Sequence, residues 1–223
     1  MRAQKSTLRV IIHLMKNNYC TIYLIRHGRT DWNDKKLIQG HLNIPLNSEG
    51  KTTAKELAQE LKKINFDKVY SSDLLRAKQT AEIIALEQEL VVEITQALRE
   101  RNFGSFQGKP REHLKEIDKV LETLTDEERY SYTHNGIVES DEEIMTRFMI
   151  FIREIAIVNL GKTILVATHG GIIRAFLIHL GILDYTGIKG RLEIKNLAFV
   201  KFESDGVDFV IKETSGIEKK TRE

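Results

Sequence analysis

The sequence has one cysteine, Cys20, in 223 residues. A lone thiol excludes an internal disulfide and fits a reducing cytosol, so the expected localisation is cytoplasmic. Excess charge is equally scarce: 34 basic residues face 32 acidic ones, a formal net charge of +2. That balance gives no general pull towards nucleic acid or a membrane surface, and any anion site must be a local cluster. No apolar run approaches the ~18 residues of a spanning helix. Repeats and low-complexity blocks are missing, and there are only two prolines. What remains is 41% hydrophobic and 30% charged, an ordinary composition for one domain with a sizeable core.

The opening "MRAQKSTLRVIIHLMKNN" holds no acidic residue. Its apolar stretch "VIIHLM" is shorter than the ~7–15 residues of a signal-peptide core. Residues 1–18 are read as an N-terminal extension without fixed structure, ahead of a start at Met15, in preference to organelle targeting. Beyond it, strands and helices alternate. "CTIYLI" (20–25), "KVYSS" (68–72), "LVVEI" (90–94) and "KTILVAT" (162–168) are short, β-branched or apolar runs that read as strands. Helical spacing predicts helices over 47–64, over 72–86 with Ser72 or Asp73 as cap, over 139–159, and over 169–181 ending at Gly181. The polar middle, 105–138, reads as one or two helices over the site. "NLAFVKFE" and "VDFVIKE" form a closing hairpin around "SDG". Residues 215–223 read as a solvated charged tail, which leaves 19–214 as the folded domain. The alternation argues a three-layer α/β/α sandwich with a mostly parallel central sheet.

Open α/β sheets bind ligands at the carboxyl ends of their strands. Three polar clusters fall at such ends: "RHG" after 20–25, "SSDLLRAKQT" after 68–70 and "THGG" after 162–168. Arg26, His27, Arg76 and His169 are therefore expected at one sheet edge, with Arg76 in the first turn of its helix. Two guanidinium forks and two imidazoles read as an anion pocket suited to phosphate. A lone histidine or arginine in any of these places is usually structural. The combination carries the reading, and His13, His41, His113, His134 and His179 have no such context.

These residues resemble the histidine phosphatase superfamily, which includes the cofactor-dependent phosphoglycerate mutases. The resemblance runs from about Thr21 to Glu203. "LIRHGRTDWN" (24–33) looks like its signature, with Arg26, His27, Gly28, Thr30 and Asn33 in place. "QGHLNIPLNSEG" (39–50), "SSDLLRAKQTA", "LRERNFGSFQG" (98–108) and "THGGIIR" (168–174) are similar to the family's later motifs. The resemblance implies a phosphoglycerate mutase-like fold, with a helical cap insert around 105–138. It implies His27 as nucleophile, forming a phosphohistidine, and Arg26, Arg76 and His169 as stabilisers of the phosphoryl transition state. Glu100 is then the general acid/base, with Arg99 and Arg101 turned away from the site. Thr30, Asn33, Gln39, Gly40 and Gly170 bind substrate. No metal and no cofactor are implied.

The same machinery serves a phosphatase, which admits water, and a mutase, which excludes it. The segment between Glu100 and His169 lacks the Arg-rich, Pro-rich insertion of family mutases. Asn102-Phe103 stands where mutases usually show a His-Tyr pair, and "NGIVES" (135–140) replaces the more usual Pro-Gly-Gly-Glu-Ser. The expected function is a phosphomonoester hydrolase acting on a small phosphorylated metabolite. The alternatives are a cofactor-dependent phosphoglycerate mutase and a non-catalytic phospholigand-binding relative. The latter predicts loss of one of Arg26, His27, Arg76, Glu100 or His169, and all five are present. Sequence leaves the oligomeric state open.

Overall fold

Strand β1 (Cys20–Arg26) lies inside a six-stranded sheet of order β3-β2-β4-β1-β5-β6, in a computed structural model that describes residues 18–185 and 192–219. The expected N-terminal extension lies outside these residues except for Asn18. β2 (Lys68–Ser72), β3 (Val92–Thr95) and β4 (Thr163–Thr168) run parallel to β1, with Thr21 opposite Thr163 and Arg26 opposite Thr168. β5 (Leu192–Ser204) is antiparallel to both β1 and β6 (Phe209–Lys219). Successive side chains of a strand point to opposite faces. Ile22 and Leu24 of β1 therefore join Ile164 and Val166 on one face, while Tyr23 and Ile25 join Leu165 and Ala167 on the other.

Helices cover both faces, so the molecule is the three-layer sandwich expected. A one-turn helix α1 (Asp31–Asp34) follows β1. α2 (Ser48–Leu61) and α3 (Leu75–Leu86) pack on the Tyr23 face through Ala58, Leu61, Ala81 and Ile84. The opposite face takes the long helix α6 (Asp141–Val158) and α7 (Gly170–His179). Ser140 caps α6 in a reciprocal capping box with Glu143, and Ile144, Phe148, Ile152 and Ile155 recur on its buried stripe. Burying each such side chain is worth about 1.5–3 kcal/mol.

Several boundaries differ from expectation. α3 starts at Leu75 with no side-chain cap, because Ser72 and Asp73 have other partners: Ser72 Oγ meets His169, and Asp73 pairs with Arg99. β3 begins two residues late, at Val92. The charged tail is partly strand, since β6 continues to Lys219 by backbone pairing with the start of β5. Residues 104–138 fold as two 3₁₀ turns, Gly104–Phe106 and Arg111–Leu114, then α4 (Lys115–Leu121) and α5 (Asp126–Tyr130). They close over a small core of their own, Ile38, Leu114, Ile117 and Val138. Among the described residues, no helix is long and apolar enough to cross a membrane.

Candidate active site

The carboxyl ends of β1, β2 and β4 meet beside a cavity of ≈ 810 Å³. His27 follows β1, and its backbone N–H donates to Thr168 O at 2.9 Å. That bond brings the His27 ring to 5.2 Å from the His169 ring. Nδ1 of His27 sits 2.7 Å from Gly28 O. A carbonyl only accepts, so Nδ1 carries the hydrogen and Nε2 keeps the lone pair. His169 is fully buried behind His27, its Nε2 held 2.9 Å from Ser72 Oγ.

Arg76 is 1% exposed, and two backbone carbonyls fix its fork: Gly40 O at 2.7 Å and Leu42 O at 2.9 Å. Arg26 donates from Nη1 to Ile194 O of β5. Among the described residues, three buried nitrogens, Arg26 Nε, Arg76 Nε and His169 Nδ1, meet no protein partner. Asn33 Oδ1 accepts from Thr30 N–H at 3.1 Å, so the group it offers the cavity is its Nδ2 donor. Gln39 and Gly40 also line the cavity, and Gly40 has a positive φ of 50° against Gln107.

Glu100 reaches the cavity from beyond β3. Its Oε1 accepts from Arg101 N–H at 2.8 Å and its Oε2 from Gly171 N–H at 3.1 Å, in the first turn of α7. Arg147 of α6 holds the loop behind it, donating to the carbonyls of Arg99 at 2.7 Å and Glu100 at 3.1 Å while pairing with Glu139. His41 Nε2 lies 2.7 Å from Glu100 O. A Cβ on residue 171 would stand 2.1 Å from Glu100 Oε1. Gly171→Ala therefore pushes the carboxylate aside. Its kcat is expected to fall by about tenfold or more, since misplacement of ~1 Å is enough for such losses. The melting temperature should change little, because the group that yields is the free end of a side chain. A variant with wild-type kcat would show that Glu100's placement does not matter.

The structure gathers Arg26, His27, Asn33, Gln39, Gly40, Arg76, Glu100 and Gly170 on the cavity wall. Thr30 and His169 are not among them. His169 is fully buried beside His27, and Thr30, also fully buried, spends its hydroxyl capping α1. Arg99 does turn away, pairing with Asp73 at 2.8 Å. Arg101 does not: it lines the cavity and pairs with Asp141. Sequence reasoning missed Asn196. A register shift in β5 between Ile194 and Phe199 swings it inward, with Leu197 at a φ of 62°. Asn196 Nδ2 donates to His27 O and Gly28 O, each at 3.1 Å, and so fixes the carbonyl that sets the His27 tautomer.

Residues 22–215 match the family model of the histidine phosphatase superfamily (branch 1). The chain belongs to that superfamily. Phosphoglycerate mutase-like protein 4 of Arabidopsis thaliana is 36% identical over 160 residues, 71% of this chain and 70% of that one. A broad-specificity phosphatase of Saccharomyces cerevisiae is 28% identical over 209 residues, 88% of this chain and 85% of that one. The crystal structure of a phosphoglycerate mutase from Bacillus anthracis superposes with a TM-score of 0.73 at 27% identity, over 89% of this chain and 93% of that chain. The chain is thus a histidine phosphatase, with the mutase-like fold.

Both imidazoles of this phosphatase are held well below the usual 6.5. Burial is the main cause, and the Arg76 cation adds to it at both rings. Burial also pushes Arg76 down to about 10, still cationic at neutral pH. A histidine whose folded pKa is depressed binds fewer protons folded than unfolded. Its full contribution to stability is present above about 6.5 and is lost as the pH falls from there towards the folded value. The melting temperature is expected to drop on acidification below pH 6.5. His169→Gln should show a shallower drop, and an unchanged slope would trace the acid sensitivity to other groups.

Proposed function

We propose that the phosphatase hydrolyses a small phosphorylated metabolite through a phosphohistidine at His27. The observation that carries this reading is the fixed tautomer of His27, a buried neutral imidazole whose free Nε2 shares the cavity with Arg26, Arg76 and Glu100. Nε2 attacks phosphorus in line, forming the N–P bond as the P–O bond to the leaving group breaks. Charge on the equatorial oxygens meets Arg26 Nε, Arg76 Nε and the Asn33 amide. His169 contributes from Nδ1, which carries the ring hydrogen when the Ser72 hydroxyl donates to Nε2.

Glu100 protonates the departing alkoxide. As a carboxylate it then takes a proton from water, whose oxygen attacks the phosphohistidine and releases inorganic phosphate and free His27. Hydrolysis is favoured over return of the phosphoryl group to substrate by the cover itself. It is made of two 3₁₀ turns and helices of seven and five residues, with little mass to exclude water. Partition of product tests this. Incubation with 3-phosphoglycerate and a trace of 2,3-bisphosphoglycerate should give negligible 2-phosphoglycerate, while a panel of metabolite phosphates should include some that release phosphate. Fast isomerisation with little free phosphate would overturn hydrolysis in favour of the mutase.

A further inference from the structure

Strand β5 breaks its pairing beside the cavity. Ile194 stands opposite Ile217 of β6 and Phe199 opposite Ser215, so the four residues from Lys195 to Ala198 face the single residue Gly216. On its other edge β5 pairs with β1 as far as Ile25, which stands opposite Phe199. The extra residues therefore bulge at the point where β1 delivers Arg26 and His27. Within the bulge Leu197 is held at a φ of 62°, a left-handed conformation that strains a bulky side chain. Gly216 lets the bulge close, since a Cβ there would lie 3.0 Å from Ala198 Cβ. This stretch holds both groups that β1 supplies. At its start, Ile194 O accepts from Arg26 Nη1. In its middle, Asn196 donates from Nδ2 to His27 O and to Gly28 O, each at 3.1 Å. Gly28 O is also the atom 2.7 Å from His27 Nδ1.

We infer that the bulge of β5 is a positioning device for the reaction and that Asn196 is its working residue, keeping the hydrogen of His27 on Nδ1 so that Nε2 stays free to attack. The inference rests on His27 as the nucleophile. A free histidine side chain favours its hydrogen on Nε2, the tautomer that cannot attack from that nitrogen. The protein must therefore hold the other form, and the bond made by the ring decides which nitrogen keeps the hydrogen. That bond goes to Gly28 O, just past the end of β1. A carbonyl only accepts, so Asn196 turns its NH₂ to it, and the two hydrogens reach two successive carbonyls. Pinned at both, the Gly28 carbonyl cannot rotate away from His27 Nδ1. Bulges beside active sites re-aim side chains in this way, and the strain at Leu197 persists because the strands on either side fix it.

Nuclear magnetic resonance of the ring nitrogens and phosphoenzyme kinetics test this together. In protein with labelled histidine, the His27 signals are those lost in His27→Ala. The wild-type ring should show a hydrogen-bearing Nδ1 and a bare Nε2. In Asn196→Ala the two shifts are expected to converge as the tautomers mix, and phosphoenzyme formation from p-nitrophenyl phosphate should slow by about tenfold or more. Inorganic phosphate should bind as before, since Arg26 and Arg76 keep their carbonyl partners. Leu197 supplies a second pair of variants that leaves Asn196 in place. Leu197→Gly suits a positive φ and should keep the wild-type shifts, whereas β-branched Leu197→Val resists it and should move them as Asn196→Ala does. A hydrogen on Nε2 in the wild type, or unchanged shifts in Asn196→Ala, overturns the inference. So does slow phosphoenzyme formation with the tautomer intact, or a loss of phosphate binding, which would mean that the whole site had moved. Like shifts in the two Leu197 variants overturn the role of the bulge. A wild type that forms no phosphoenzyme removes the phosphohistidine mechanism instead, and the ring shifts still decide whether Asn196 sets the tautomer.

Discussion

His27→Ala removes turnover, by about 10⁴-fold or more, together with the acid-labile phosphoenzyme trapped in rapid quench. The loss is large because nothing else in the cavity replaces the nucleophile. His169 is the nearest imidazole, but it is fully buried, and its Nε2 is committed to Ser72. The fold should survive, since His27 holds β4 through its backbone N–H, which alanine keeps. Removing a buried imidazole from between two guanidiniums also leaves the anion clamp in place, so inorganic phosphate should still bind. Wild-type phosphoenzyme in the variant would exclude His27 as the attacking group.

Glu100→Gln is expected to slow alkyl phosphates by about 10²–10⁴-fold and activated aryl phosphates much less. Glutamine keeps the shape, but it transfers no proton to a leaving alkoxide. It also answers only one of the two N–H groups that Glu100 accepts, from Arg101 and Gly171, because its amide nitrogen is a donor. Part of any loss is therefore positional. Comparing leaving groups isolates the chemical part: a p-nitrophenolate leaves without help, an alkoxide does not. An equal loss on both classes would count against proton donation.

The sheet and its site edge were legible because their signals are local. Four apolar runs mark the parallel strands, and three of them end in a polar cluster at the edge where α/β sheets bind ligands. The caps of α3 were misread because Ser72 and Asp73 look like cap residues in sequence and are claimed by His169 and Arg99, both distant in the chain. Asn196 was invisible for the same reason, since only a shift in β5 aims it at His27. The basic side of the cavity escaped notice because Arg101, Arg111, Arg129 and Arg174 arrive one at a time from separate segments. No window of sequence contains the cluster that the fold assembles.

The placement of β1 has a kinetic consequence. Thr21 stands opposite Thr163 of β4 on one side and Glu203 of β5 on the other, so the first of the described strands to be made is among the last to be satisfied. At a synthesis rate of ~5–20 residues per second, β1 waits roughly 7–30 s before β4 exists. Through that interval an apolar strand trails behind the ribosome with both edges open, the condition that invites pairing with other chains. Closing so long a loop also slows folding once synthesis ends. His27 and His169 meet only when β1 and β4 pair, so nascent chains ending before Thr163 lack the assembled site and should be the ones that chaperones retain.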